Sequence, residues 1–306
     1  MDKFQKIKKN IFDKYNILIN NKKKFKEAIQ KPLQQTFRVN QIKEEKETVL
    51  DRLKEYDSSI ETTKWNDNAH ITKLKNLGSS LEHFVGNIYI QELTSMIPPL
   101  IAKDLLGDID VIDCCAAPGS KTTQLADIMD NNGTIIANDS RHGRIKALRG
   151  NLDRLGITNT SVTLRDFKSF PNTSADVYFV DAPCSSEGTI RKRNNMIRDW
   201  KDKDYQRFNK LQSGLLSKAC EMAPSGSNVI YSTCTFSPEE NEKVVNNALK
   251  KYDLKIEKIN LRNLKTREGI TQWKDDDYDK EVRKCMRIWP HDNDTNGFFV
   301  TRLLKC

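Results

Sequence analysis

The sequence predicts an α/β fold, in which a doubly wound, mainly parallel sheet follows a smaller N-terminal α+β domain. From about residue 110 onward, short apolar runs alternate with helical stretches, which is the pattern of parallel strands joined by crossover helices. Before about residue 76 the chain is rich in Lys, Asn and Gln, with apolar residues at intervals that suit helices. We therefore expect an N-terminal domain at residues 1–76 and a larger domain at residues 77–306.

Seven apolar segments of the larger domain are candidate strands, and they lie at residues 110–115, 133–139, 160–166, 176–181, 228–233, 254–259 and 298–303. Helical patterns follow the first, second, fourth and fifth of them, at residues 120–130, 142–155, 203–223 and 238–251. The connection after the third segment shows little helical pattern. The last two segments have no convincing helix between them, so we expect an antiparallel pair despite the charged insert at residues 261–296.

The N-terminal region combines an amphipathic pattern with a cluster of lysines. Ile7, Ile11, Tyr15 and Leu18 would share one face of a helix. The lysines within residues 22–26 are either a solvated helix face or a contact for phosphate groups. The whole chain has 51 Lys and Arg residues against 42 Asp and Glu residues, and this net charge of +9 favours a polyanionic partner.

The chain lacks the sequence marks of a membrane protein or an exported one. No run of about 18 apolar residues occurs, so we expect no membrane partner. The basic N-terminus has no apolar signal segment, which predicts a cytoplasmic protein, or a nuclear one in a eukaryote. Seven cysteines without a C-x-x-C pair indicate neither a disulfide framework nor a zinc site, so we expect no metal.

A run of small residues follows the first candidate strand, and a helix begins directly after it. Residues 114–122 read CCAAPGSKT, and small side chains allow a ligand to approach the backbone closely. Asp139 ends the second strand 20 residues after Gly119, where an acidic side chain can accept hydrogen bonds from ribose hydroxyls. Neither G-x-G-x-x-G nor a Walker motif is present, which favours a different adenosine cofactor. The alternative is an ordinary turn, with Ser120 as the helix cap.

Two further acidic residues, Asp166 and Asp181, end the third and fourth candidate strands. Ligands of open α/β sheets bind in the crevice at the carboxyl ends of the strands. We therefore expect Asp139, Asp166 and Asp181 to converge, beside the small-residue loop, at one edge of the sheet.

Two of the seven cysteines follow strand ends in matching positions. Residues 181–188 read DAPCSSEG after the fourth strand, and residues 232–241 read STCTFSPEEN after the fifth. A buried cysteine is most often an inert apolar residue, but the matching placement of Cys184 and Cys234 favours chemistry. A thiolate nucleophile needs a nearby cation or helix N-terminus, and Lys121 is a candidate for that cation.

These motifs closely resemble those of the Nol/Nop/Sun family of S-adenosylmethionine-dependent RNA 5-methylcytosine methyltransferases. The similarity covers roughly residues 36–304. Besides the two cysteine motifs and the loop CCAAPGSKT, it extends to FRVN at residues 37–40, YIQE at 89–92, RIWPH at 287–291 and GFF at 297–299. The resemblance implies a seven-stranded Rossmann-like class I methyltransferase sheet, preceded by an RNA-binding domain.

The resemblance also implies a role for each motif. It makes Cys234 the nucleophile that attacks cytosine and Cys184 the cysteine that assists product release, with Asp181 beside the base and Lys121 as a further catalytic candidate. The implied S-adenosylmethionine site consists of Cys115, Ala116, Ala117, Pro118, Gly119, Ser120, Lys121, Asp139, Arg144, Asp166 and Asp181. Two residues of the flanking motifs stay off the site, Arg38 as a surface charge and Trp289 as packing before the last strand.

The chain looks similar to the smaller tRNA-modifying members of the family, so we expect a monomeric enzyme that acts on tRNA, with ribosomal RNA as the alternative. Three other functions stay open. A DNA cytosine methyltransferase would use Cys184 as its nucleophile and would leave Cys234 unexplained. A non-catalytic RNA-binding or assembly protein would keep the fold without turnover. A small-molecule methyltransferase would not need the basic N-terminal region.

Overall fold

A computed structural model describes residues 3–191 and 201–306, and the structural statements refer to these residues. The helices are α1 (Lys3–Tyr15), α2 (Lys22–Gln30), α3 (Lys46–Lys54), α4 (Leu81–Phe84), α5 (Ile97–Leu100), α6 (Ser120–Ile128), α7 (His142–Leu155), α8 (Asp202–Met222), α9 (Glu242–Lys251) and α10 (Pro290–Asn293). The strands are β1 (Gln35–Val39), β2 (Glu61–Thr62), β3 (His70–Thr72), β4 (Ile88–Ile90), β5 (Asp110–Asp113), β6 (Thr134–Asp139), β7 (Thr160–Leu164), β8 (Val177–Asp181), β9 (Asn228–Thr233), β10 (Leu254–Glu257), β11 (Arg267–Glu268), β12 (Gln272–Trp273), β13 (Asp276–Asp277), β14 (Met286–Ile288) and β15 (Phe298–Lys305).

The larger sheet has the strand order β11-β14-β15-β9-β8-β5-β6-β7, and β10 pairs with β15 as well. Strands β7, β6, β5, β8 and β9 run parallel to one another, whereas β15 runs antiparallel to β9. The chain enters this sheet at β5 and winds first toward β7, then back through β8 toward β9. The crevice at the carboxyl ends of β5 and β8 is therefore the expected ligand site of such a sheet.

All seven predicted strands are present, and β10 pairs antiparallel with β15 as expected. The predicted number of strands is wrong, because the sheet has nine strands in the described part of the chain. The two additional strands, β11 and β14, come from the insert at residues 261–296 and extend the edge of the sheet beyond β15. With two and three residues, they are too short to produce a recognisable alternation of apolar and polar residues.

Helices cover both faces of the larger sheet. Alternate residues of β8 point to opposite sides, so that Tyr178 and Val180 join one apolar cluster while Val177 and Phe179 join another. Helices α6, α7 and α8 lie where the sequence predicts them, but α9 begins four residues late because a turn occupies residues 238–241. The weak third connection contains a single 3₁₀ turn. Among the described residues, no helix is both long and apolar enough to cross a membrane.

The N-terminal region divides into two parts that pack differently. Strands β2-β3-β1-β4 form a separate antiparallel sheet, and with α3 they enclose their own small core. Helices α1 and α2 instead join the core of the larger domain through Ile7, Ile11, Tyr15 and Phe25. The predicted amphipathic helix is present, but it ends at Tyr15, so Leu18 lies in the turn that follows it. The small sheet continues past residue 76 to β4, and the expected boundary of an independent domain at that residue stays a prediction.

Arg38 connects the small sheet to the larger domain. The sequence suggests a surface charge, but this interpretation is wrong because the residue is 1% exposed. Its guanidinium donates hydrogen bonds to Gln91 Oε1 at 3.0 Å and to Thr123 Oγ1 at 2.7 Å, and it pairs with Asp127 at 3.3 Å. Thr123 and Asp127 belong to α6, so Arg38 fixes the helix that follows the small-residue loop.

Candidate active site

A cavity of about 330 Å³ lies at the carboxyl ends of β5 and β8. One end is lined by the small-residue loop, with Cys115, Ala116, Ala117, Pro118, Ser120, Lys121 and Arg144. The other end is lined by Asp181, Thr189, Cys234, Asn296 and Phe298. The structure thus brings the predicted cofactor loop and one of the two predicted catalytic cysteines into a single cavity.

The small-residue loop turns sharply at Gly119, whose φ of 105° lies in the left-handed region that favours glycine. A Cβ atom at this position would lie 2.9 Å from Leu148 Cδ1, which is closer than packed carbon atoms approach. Gly119 caps α6 and Ser120 is its first residue, so the alternative in which Ser120 is the cap is wrong. The absence of side-chain bulk in this loop leaves its backbone open to the cavity.

Asp139 is 3% exposed and ends β6 next to the small-residue loop. Its Oδ1 accepts a hydrogen bond from the backbone N–H of Arg141 at 3.0 Å. Its Oδ2 is buried and forms an ion pair with Arg144 Nη1 at 3.1 Å, but it accepts no hydrogen bond from the residues that the structure describes. Arg144 in turn donates to the carbonyl of Ala117. Asp139 does not itself line the cavity, so its predicted contact with ribose hydroxyls rests on its place at a strand end beside the small-residue loop.

Asp113 lines the same cavity, although the sequence-based prediction does not include it. It is 1% exposed, and its Oδ2 accepts a hydrogen bond from Thr122 Oγ1 at 2.7 Å while its Oδ1 has no partner among the described residues. Burial raises the pKa of Asp113 to about 6. Asp113 ends β5, but the predicted strand runs on to residue 115, so the rule that singles out acidic residues at strand ends misses it.

Asp166 lies apart from the other predicted acidic residues. Its side chain is 53% exposed, accepts a hydrogen bond from the backbone of Lys168, and pairs with the ammonium of Lys168 at 3.4 Å. It follows the end of β7 by two residues and does not line the cavity. Its contribution to cofactor binding stays a prediction that this geometry does not support.

Lys121 and Asp181 form an ion pair where the cofactor loop meets the cysteine loops. Lys121 Nζ lies 2.7 Å from Asp181 Oδ2 and 3.1 Å from Ser95 Oγ. Asp181 Oδ1 accepts a second hydrogen bond, from Ser232 Oγ at 2.7 Å. Burial alone would lower the pKa of Lys121, but the adjacent carboxylate of Asp181 outweighs it and raises that pKa. Lys121 is therefore a fixed cation beside the cavity.

The two cysteines of the predicted pair are in contact, with Cys184 Sγ 3.3 Å from Cys234 Sγ. Ser186 Oγ lies 3.6 Å from Cys234 Sγ and 3.9 Å from Cys184 Sγ. The hydrogen bond from Cys184 lowers the pKa of Cys234, and the Ser186 hydroxyl and the Lys121 cation act in the same direction. The same hydrogen bond raises the pKa of Cys184, with burial and the negative charge of Glu240 adding to it. The two shifts are opposite, and they make Cys234 the more acidic thiol of the pair.

The residues that follow the two cysteines hold the two loops together. Ser185 Oγ and Thr235 Oγ1 are 2.7 Å apart, and both are buried. Glu240 accepts hydrogen bonds from Ser185 N at 2.9 Å, Ser185 Oγ at 2.5 Å and Gln212 Nε2 at 2.9 Å. These contacts involve residues within the two sequence motifs, but the sequence offers no sign that they pair with each other.

Two family models match the chain. The model described as 16S rRNA methyltransferase RsmB/F matches residues 104–304, which contain the whole cavity apart from Glu92, Thr94 and Ser95. The model described as the N-terminal domain of 16S rRNA methyltransferase RsmF matches residues 8–93.

Curated relatives include enzymes with two kinds of RNA in their names. The tRNA (cytosine(49)-C(5))-methyltransferase of Pyrococcus abyssi is 37% identical over 99% of this chain and 98% of its own length. The ribosomal RNA small subunit methyltransferase F of Shewanella piezotolerans is 32% identical over 90% of this chain, and that of Erwinia tasmaniensis is 34% identical over 92%. The chain spans 58% and 59% of the length of these two ribosomal RNA enzymes.

Solved structures share the fold along almost the whole chain. A methyltransferase homolog protein from Pyrococcus horikoshii superposes with a TM-score of 0.81 and 30% identity, over 97% of this chain and 99% of that one. NSun6 from Pyrococcus horikoshii, solved with SFG, is 21% identical and shows the same fold, with a TM-score of 0.82 over 100% of this chain and 98% of that one. Together with the family models, these similarities show that the chain belongs to the RsmB/F (Nol/Nop/Sun) family of S-adenosylmethionine-dependent RNA cytosine-5 methyltransferases.

Proposed function

We propose that this protein methylates carbon 5 of cytosine in tRNA through a covalent bond between Cys234 and the base. The observation that carries the proposal is the cysteine pair, in which the sulfur with the lowered pKa is the one that lines the cavity. The choice of tRNA is supported by the Pyrococcus abyssi enzyme, which matches this chain end to end, whereas the ribosomal RNA enzymes are much longer.

The cofactor end of the cavity fits S-adenosylmethionine. The backbone from Cys115 to Ser120 has no bulky side chain in the way. Asp139 does not itself line the cavity, but it ends the neighbouring strand β6 and is the proposed partner of the ribose hydroxyls. Asp113 has a buried oxygen without a partner, which suits the ammonium group of the methionine part. When bound, the cofactor would supply an electrophilic methyl group and would leave as S-adenosylhomocysteine.

In the proposed first step, the thiolate of Cys234 adds to carbon 6 of cytosine. The new S–C bond moves the electrons of the C5=C6 double bond onto carbon 5, which becomes nucleophilic enough to accept the methyl group. The Ser186 hydroxyl and the Lys121 cation favour the thiolate before attack. A base within a helix cannot reach this cavity, so the target must be unpaired or flipped out of its stack.

Asp181 is placed to hold the ring during this step. Each of its oxygens already accepts one hydrogen bond, from Lys121 or Ser232, and retains a lone pair for the ring nitrogen or the exocyclic amine of cytosine. These two fixed donors keep the carboxylate from rotating away from the cavity. Pre-positioned groups of this kind stabilise charge that develops in the transition state.

In the proposed second step, a water molecule takes the proton from carbon 5, the electrons of that C–H bond restore the C5=C6 double bond, and the bond from carbon 6 to Cys234 breaks. The departing sulfur recovers a negative charge. Cys184 Sγ, 3.3 Å away, can donate its S–H to that sulfur, which lowers the energy of the thiolate as it departs. Cys184 thereby assists product release without taking the place of the nucleophile.

Ribosomal RNA is a second candidate substrate, because both matching family models are described by 16S rRNA methyltransferases. A DNA substrate is less well supported, since it would make Cys184 the nucleophile although its pKa is raised well above the usual range. A monomeric state, a cytoplasmic location and a phosphate-binding role for the exposed lysines of α2 stay predictions.

Bisulfite sequencing tests this proposal directly. Purified protein and S-adenosylmethionine are incubated with unmodified tRNA and, separately, with small-subunit ribosomal RNA. We expect a protected cytosine in tRNA that is absent when Cys234→Ala replaces the wild-type protein. Protection confined to ribosomal RNA would make ribosomal RNA the substrate. No protected cytosine in either RNA would overturn the proposed activity.

A further inference from the structure

The loop that carries Cys184 has a strained residue, Ser186, two positions after the cysteine. Ser186 adopts φ 60° and ψ 21°, the left-handed conformation that residues with a side chain rarely adopt. In this conformation its hydroxyl lies within 4 Å of both sulfurs. A strained residue of this kind persists only where neighbouring contacts hold it, and such residues are found at functional sites.

The contacts that hold this turn converge on the next residue, Glu187. Its carboxylate is 2% exposed and accepts hydrogen bonds from Tyr15 Oη at 2.5 Å, Tyr205 Oη at 2.5 Å and Thr235 Oγ1 at 3.3 Å. On the other side of Glu187, the backbone N–H of Gly188 donates to the carbonyl of Cys234 at 3.0 Å. The strained turn is therefore anchored directly after the serine that contacts the sulfurs.

One of the two tyrosines belongs to a distant part of the sequence. Tyr15 is the last residue of α1, 172 residues before Glu187, and it is fully buried. Its ring stacks on Trp273 at 5.9 Å and lies 5.9 Å from the ring of Phe236, which is two residues after Cys234. Aromatic contacts thus hold the ring of Tyr15 in place, and its hydroxyl donates to the carboxylate of Glu187, next to Ser186.

We propose that Tyr15 is a positioning residue for the cysteine pair, because its hydroxyl, through Glu187, holds Ser186 against the two sulfurs. This inference rests on the proposed function, in which those sulfurs react. The N-terminal helix then has a role in the reaction itself, beyond any contact with RNA.

The substitution Tyr15→Phe tests the proposal, because it removes the hydroxyl and keeps the packed ring. The readout is the rate of alkylation of Cys234 by iodoacetamide across a pH range, followed by peptide mass spectrometry of the free protein. We expect the midpoint of the pH profile to rise by about half a pH unit, since the thiolate of Cys234 loses the Ser186 hydroxyl. Tyr252→Phe is the matched control, because its hydroxyl contacts Ser217 and not the cysteine loops.

A double variant separates positioning from a general loss of stability. Ser186→Ala removes the hydroxyl that contacts the sulfurs, so it should raise the midpoint as well. If Tyr15 acts through Ser186, then Tyr15→Phe added to Ser186→Ala should raise it no further, although it still lowers the melting temperature. An unchanged midpoint in Tyr15→Phe, or two shifts that simply add, would overturn the positioning role.

Steady-state kinetics complete the test. We expect Tyr15→Phe to lower kcat about tenfold, because small misplacements of a reacting group cost rate, and to leave the KM for S-adenosylmethionine unchanged. Alkylation needs neither RNA nor cofactor, so its result stands even if the wild-type protein methylates no RNA. Methylation by the wild type combined with an unshifted alkylation profile in Tyr15→Phe would reject the positioning role alone.

Discussion

The loop after β8 and the loop after β9 each present a cysteine at the same edge of the sheet, yet their surroundings differ. The hydrogen bond with Cys184 lowers the pKa of Cys234, and the Ser186 hydroxyl and the Lys121 cation lower it further. The hydrogen bond with Cys234, burial and the negative charge of Glu240 raise the pKa of Cys184 well above the usual range. Equivalent places in the fold therefore give the two thiols opposite pKa shifts, and the proposed division of roles follows from that difference.

The largest effect should follow the removal of the attacking sulfur. Cys234→Ala should lower methyl transfer by about 10⁴-fold or more, since the proposed path has no substitute nucleophile. The measurement is transfer of a labelled methyl group to tRNA. Cys306→Ala, at the chain terminus, is the matched control and should retain the wild-type rate. Substantial activity in Cys234→Ala would reverse the assignment of the two loops.

A smaller effect should follow when Cys234 loses its neighbouring cation. Lys121→Met should lower kcat by about 10²-fold, because Asp181 loses its partner and the thiolate is less favoured. The pH at which the rate is half maximal should move upward in the same variant. Lys243→Met, which breaks a half-exposed pair with Asp276, serves as the control and should change neither quantity. A pH profile identical to that of the wild type would show that Lys121 does not act on Cys234.

The ionisation of Glu240, the carboxylate beside Cys184, should make the free energy of unfolding depend on pH. Burial raises the pKa of Glu240 to about 7, so between the usual carboxyl value of 4.5 and pH 7 the folded state binds more protons than the unfolded one. Stability from this group is therefore lost as pH rises through that window. The variant Glu240→Gln has no ionising group at this position, so its free energy of unfolding should not fall for this reason. Between pH 5 and pH 8 the free energy of unfolding of the wild type should therefore fall by up to about 3 kcal/mol relative to the variant.

Urea unfolding at the two pH values measures this difference. The exposed substitution Glu268→Gln is the control and should follow the wild-type curve at both. Parallel pH dependences in Glu240→Gln and the wild type would contradict the raised pKa of Glu240.

Much of the sheet could be predicted from sequence because its strands are long, apolar and followed by regular helices. Asp139, Asp181 and both cysteines came from the single rule that parallel strands bring their carboxyl ends to one edge. Asp166 obeys the same rule in sequence but lies two residues beyond its strand, in an exposed turn.

The remaining features depend on contacts between distant segments, which a local pattern does not contain. The spacing of Ile7, Ile11 and Tyr15 predicts a helix but not the surface that it covers, and α1 packs into the larger domain instead of the small sheet. Arg38 is buried only because α6 supplies partners for its charge. The pairing of Ser185 with Thr235 likewise appears only when both loops are in place.

The central claim, that Cys234 attacks and Cys184 releases, is tested most directly by trapping the intermediate. Each variant is incubated with tRNA and S-adenosylmethionine and then analysed on a denaturing gel, which retains only covalent protein–RNA complexes. The account predicts a shifted band for Cys184→Ala, because attack still occurs while release is slowed, and none for Cys234→Ala or for the double variant. A shifted band in Cys234→Ala with none in Cys184→Ala would contradict it.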